Sequence, residues 1–100
     1  MKPNIGITEN NLQKSTTQLS MILADEMTLY VKTRKFHWNI NGYNFMELHK
    51  LFQDQYSSLE ETIDQVAERI SKLGCNTIGT MQEFLAKTRL KESPEDYPSQ

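Results

Sequence analysis

The stretch KTRKFHWNINGYNFMELHKLF, residues 32–52, decides the fold. Its centre, residues 39–43, carries Gly42 between two long segments that contain neither Gly nor Pro. One runs from Thr8 to Gly42 and the other from Gly42 to Gly74. Uninterrupted segments of that length predict two long helices, each about 45 Å at 1.5 Å per residue. The break between them is short enough to force an antiparallel hairpin.

Working outward, both flanks show helical periodicity. On the first, Leu12, Leu19, Ile22, Leu23, Met27, Tyr30, Val31, Arg34, His37 and Trp38 project to one side, while Asp25 and Lys32 face the other way. Thr8 is the expected N-cap. On the second, Phe45, His49, Phe52, Tyr56, Leu59, Ile63, Val66, Ile70 and Leu73 form a seam spaced alternately four and three residues apart. Asn44 with Glu47 reads as a capping box, and Gly74 as the stop. Thr80 with Glu83 reads as a second box, opening a helix of about two turns through Met81, Phe84 and Leu85. Beyond Arg89 the polar, proline-containing LKESPEDYPSQ is expected to be extended.

The 100 residues carry a net charge of −2, 24% charged and 37% hydrophobic residues, which describes one ordinary globular domain. No basic excess advertises nucleic acid, and the leading segment offers only Lys2 and Lys14, so DNA binding is expected to be weak or absent. The start lacks the apolar core of a secretory signal and no apolar run reaches membrane-spanning length, so a cytoplasmic location is expected. Cys75 is alone, which excludes a disulfide framework and a thiolate cluster. A hairpin with such broad apolar faces buries too little to stand by itself, so an all-α, obligately oligomeric unit is expected.

Four residues suggest chemistry. A tight hairpin brings His37, in the last turn of the first helix, beside His49 in the second turn of the next. Asp64 and Glu68, four apart, share a helix face. Two imidazoles and two carboxylates suit iron, manganese or zinc. One chain cannot unite all four, because His49 and Asp64 stand roughly 22 Å apart along one helix. Two second helices crossing antiparallel near Ser57 and Ser58 would set His49 of one copy level with Asp64 and Glu68 of the other, giving two equivalent sites. Bland readings stand beside this: packed histidines, a Glu68–Lys72 surface pair, a core Trp38, core Tyr30 and Tyr56, and a solvated Lys32, Arg34 and Lys35 patch.

The motifs Phe36-His37-Trp38-Asn39, Gly42, Phe45 and Leu48-His49 resemble the signature of the Dps family, the DNA-protection proteins of starved bacterial cells. So do Ile63-Asp64, Ala67-Glu68-Arg69-Ile70, Leu73-Gly74, Gly79-Thr80 and Tyr97-Pro98. The resemblance runs from about the tenth residue to the end. It implies a ferritin-like four-helix bundle assembling into a twelve-subunit shell, and iron(II) oxidation, preferentially by hydrogen peroxide, on the dimer two-fold. It assigns His37 and His49 to one chain, Asp64 and Glu68 to its mate, and to Trp38 a place beside the site. Zinc is a possible substitute for iron. Two departures stand out. Gln53 occupies a position where the family commonly has aspartate, with Asp54 next to it. The chain also stops where the family's third helix would begin, so half a bundle is expected, by truncation. A helical dimerisation module without catalysis is the competing reading.

Overall fold

Thr8 opens the first helix. Its backbone is extended (φ −67°, ψ 155°) and its hydroxyl accepts the amide hydrogen of Asn11 at 3.2 Å, satisfying one donor that a helix start leaves free. In the computed structural model, α1 then runs Glu9–Trp38, α2 Phe45–Lys72 and α3 Met81–Lys87. The structure describes residues 8–40, 42 and 45–97. Asn44, one half of the expected box with Glu47, lies outside them, as do Lys2 and Pro98.

The breaks fall at the glycines. Gly42 has φ 99° and Gly74 φ 85°, the left-handed region that a side chain disfavours. At the end of α2 the Gly74 amide donates to the Ser71 carbonyl at 2.9 Å and the Cys75 amide to the Ile70 carbonyl at 3.4 Å, the pair of bonds that closes a helix on glycine. α3 is opened by the full capping box: the Thr80 hydroxyl accepts from the Glu83 amide, and the Glu83 carboxylate accepts from the Thr80 amide.

α1 and α2 form the antiparallel hairpin and α3 packs back on α1. The core lies in the half distant from the turn, where Leu23 and Ala24 of α1 meet Ile63 and Ile70 of α2 and Phe84 of α3. Near the turn, the Phe36 and Phe52 rings meet edge to face at 6.0 Å and Ile40 is buried. The broad apolar side of α1 is only partly covered: Ile22, Leu29 and Val31 are exposed, as are Met46 and Leu51 of α2. Trp38 is 70% exposed, which overturns its reading as a core residue.

After Thr88 the chain turns back along α1 in extended form, as expected, but it is tied down. Asp25 accepts from the Thr88 hydroxyl (2.8 Å) and the Arg89 amide (2.7 Å), and pairs with the Arg89 guanidinium (2.6 Å). Lys32 donates to the Lys91 carbonyl, and Lys35 to the carbonyls of Ser93 and Pro94 while its ammonium lies 4.2 Å from the Tyr97 ring centre. The face of α1 expected to meet solvent thus carries a strap, because the charged side chains of Asp25, Lys32 and Lys35 reach backbone groups and a counter-charge that the segment presents. Among the described residues, no helix is long and apolar enough to cross a membrane.

Candidate metal centre

The hairpin turn brings the two histidines into contact. Their ring centroids are 3.9 Å apart at an interplanar angle of 32°. The Nδ1 of His37 lies 3.0 Å from the backbone carbonyl of His49. A carbonyl only accepts, so His37 carries its proton on Nδ1 in this bond and its Nε2 lone pair is left for a ligand. The His37 ring is buried, with Tyr56 edge-on at 5.1 Å. On the other side of the pair, Phe45 stacks on His49 at 5.2 Å. His49 Nδ1 is itself buried and has no hydrogen-bond partner among the described residues. A buried ring nitrogen without a partner is costly, and a bound cation is one way of satisfying it.

Asp64 and Glu68 project from the exposed side of α2, separated by one helical turn. Neither makes a hydrogen bond or ion pair with the described residues, so the Glu68–Lys72 pair is not formed. Within one chain, and among the described residues, no three His, Cys, Asp or Glu side chains gather to hold a metal ion. The chain by itself supplies the imidazole pair in one place and the carboxylate pair in another. Gln53 and Asp54 are exposed and line a shallow crevice with Met46 and His49.

Between the two pairs lies a cluster that sequence reading passed over. The Arg34 guanidinium sits 3.7 Å from the centre of the Tyr56 ring, 5.4 Å from that of Tyr30 and 5.9 Å from that of Trp38. Its Nε donates to the Tyr30 hydroxyl at 3.0 Å, and its Nη2 to the Glu60 carboxylate at 3.2 Å. The Tyr30 hydroxyl donates in turn to Glu60 at 2.8 Å. The hydrogen bond to the Tyr30 hydroxyl holds the guanidinium proton more firmly than usual, partly offset by burial and supported by the nearby Glu60 carboxylate. The expected solvated patch of Lys32, Arg34 and Lys35 is therefore engaged at every member. Two signals pointed this way: Arg34 shared the periodicity of the apolar face, and Glu60 shared that of Asp64 and Glu68. Elsewhere on α1, burial pushes the Glu26 carboxyl upward, and its Oε2 has no partner among the described residues. Cys75 accepts a hydrogen bond from the Thr16 hydroxyl at 3.1 Å.

The comparisons agree with this architecture. The family model of the ferritin-like domain matches residues 16–99. A low temperature-induced protein of Nostoc is 44% identical over 96 residues, covering 96% of this chain and 54% of that protein. The DNA protection during starvation protein of Brevibacillus brevis is 39% identical over 75 residues, covering 75% of this chain and 50% of the relative. Among solved structures, the Dps protein of Vibrio cholerae, described as a member of a broad superfamily of ferritin-like diiron-carboxylate proteins, superposes with a TM-score of 0.89. It shares 34% identity, covering 97% of this chain and 62% of that one. DpsC of Streptomyces coelicolor gives a TM-score of 0.92 at 27% identity, covering 99% of this chain and 58% of that one. The chain belongs to the ferritin-like family and, within it, to the Dps branch. It spans about half the length of the curated relatives it matches.

Proposed function

We propose that this chain binds iron(II) as a substrate between two copies of itself and passes its electrons to hydrogen peroxide, withdrawing both reactants from damaging chemistry. The observation that carries the reading is the histidine pair: two imidazoles in contact, one with its tautomer set by a carbonyl, the other with a buried nitrogen lacking a partner. Asp64 and Glu68, unpaired among the described residues, supply the oxygen donors from the second copy. A mixed nitrogen and oxygen set of this kind suits iron(II), and zinc would compete for it. Each iron(II) gives one electron, so two of them, with two protons, reduce one peroxide to two waters. The residues bind and orient the metal, and the aromatic rings around the histidines shelter it. In this reading Trp38, adjacent in sequence to His37, borders the site.

Self-association accounts for the exposed apolar side chains on α1 and α2. The net charge of −2 argues for weak or no retention on DNA, and a cytoplasmic setting fits the peroxide and iron chemistry. An anaerobic iron(II) titration followed by a peroxide pulse, with oligomer mass read on the same sample, tests the proposal. The expected result is saturation at a fixed ratio of metal to dimer, rapid oxidation, and loss of both in His37→Ala. Dimers that neither bind nor oxidise iron would leave a helical association module, the reading favoured by a chain that spans about half the length of its relatives.

A further inference from the structure

We propose that Arg34 is a positioning residue that holds Glu60 out of the acidic row on α2, so that Asp64 and Glu68 alone are presented to a metal ion. The inference rests on the site proposed above and concerns how its ligand number is set.

Glu60, Asp64 and Glu68 follow one another at four-residue steps and share one face of α2. Neighbours at this spacing stand about 5–6 Å apart, close enough for one cation to gather adjacent carboxylates. The structure treats them unequally. Glu60 Oε1 accepts from both the Tyr30 hydroxyl and the Arg34 guanidinium, whereas Asp64 and Glu68 have neither hydrogen bond nor ion pair among the described residues. Asp64 nonetheless lines the same crevice as Glu60 and Tyr30, together with Met27 and Ile63, so a released Glu60 would have Asp64 within its reach.

The holding group suits the task. Arg34 donates through Nε to Tyr30 and through Nη2 to Glu60, and Tyr30 donates to Glu60, which closes a triangle of three bonds. Stacking of the guanidinium on Tyr56 of α2 fixes its plane. A lysine could not make the fork and the stack together. Because the Arg34 and Glu60 side chains are 28% and 50% exposed, the ion pair is worth little to stability, and its consequence falls on ligand geometry. A third carboxylate would add a negative charge and fill a coordination position that an oxidant must reach. Removing it keeps that position open.

Two measurements decide the matter. Carbodiimide–amine labelling of the metal-free protein, read by mass spectrometry, is expected to modify Asp64 and Glu68 well ahead of Glu60. Arg34→Ala, and to a lesser degree Tyr30→Phe, should bring Glu60 up to their level. Equal labelling of all three in the unaltered protein overturns the proposal. Anaerobic cobalt(II) titration then reads the consequence. Glu60→Gln should leave the isotherm and the visible cobalt spectrum unchanged. Arg34→Ala should tighten binding by at least about threefold, and Arg34→Ala with Glu60→Gln should return it to the original value, the coupling expected of groups in contact. Weakened binding in Glu60→Gln, or the same isotherm for the single and double variants, overturns the proposal. A protein that takes up no cobalt would refute the metal site itself, while the labelling pattern would still decide whether Arg34 restrains Glu60.

Discussion

If the two halves of the site come from different copies, two inactive variants should repair one another. The first variant carries His37→Gln and His49→Gln, and the second Asp64→Asn and Glu68→Gln. Within one chain His49 and Asp64 stand about 22 Å apart along α2, far beyond the span of any metal coordination sphere. In a dimer of the first variant both sites have carboxylates but no imidazoles, and in the second the reverse. Unfolding both in urea and refolding them as an equimolar mixture distributes chains statistically, so half of the dimers are mixed. In each mixed dimer one site receives all four ligands and the other none. The mixture should therefore recover about a quarter of the unaltered protein's iron(II)-binding sites and peroxide-dependent oxidation, from parents that have neither. Mass tags on the two variants verify that mixed dimers formed. Mixed dimers without recovery would refute the intersubunit arrangement, and strong activity in either parent would refute the ligand assignment.

Two further outcomes bear on the scaffold. Ile70→Ala removes a side chain with no exposed surface from the contact with Leu23, Ala24 and Phe84, and should cost about 2–5 kcal/mol in urea unfolding followed by circular dichroism. Asp25 has its carboxyl raised by burial but lowered by more through the Arg89 amide, the Thr88 hydroxyl and the Arg89 guanidinium, so it ends below its ordinary value. A depressed folded value means that its contribution is fully present above the unfolded carboxylate range and is lost as pH falls through the folded one. Asp25→Asn should thus lower stability at neutral pH and flatten the acid limb of the stability profile.

The elements written in local chemistry were legible. Thr8, Gly42, Gly74 and the Thr80–Glu83 box set the boundaries, because caps and left-handed glycines act within four residues of themselves. The meeting of His37 and His49 was legible for the same reason, since a hairpin with a short turn leaves little choice of register. What stayed hidden is tertiary. Asp25, Lys32 and Lys35 looked solvent-facing because periodicity reports which side of a helix is apolar. It does not report that a polar segment some 60 residues later will lie along the other side. Trp38 shared the apolar period of α1 yet ends exposed, since it lies at the last residue of the helix and the core sits toward the opposite end. Whether Asp64 and Glu68 serve the histidines of a second copy is a question of symmetry, which one chain's sequence encodes only as a spacing.

The strap along α1 has a consequence for the order in which the molecule assembles. Its bonds join positions up to 64 residues apart, whereas the His37–His49 bond spans 12. Closing the longer loop costs about 1.5 kcal/mol more in chain entropy. The imidazole pair is therefore expected to come together with the first closure of the hairpin, before residues 88–97 are tethered. During synthesis, the nitrogen half of the proposed site would be in place while the segment that braces the outside of α1 is still loose, ready for its counterpart from a second chain.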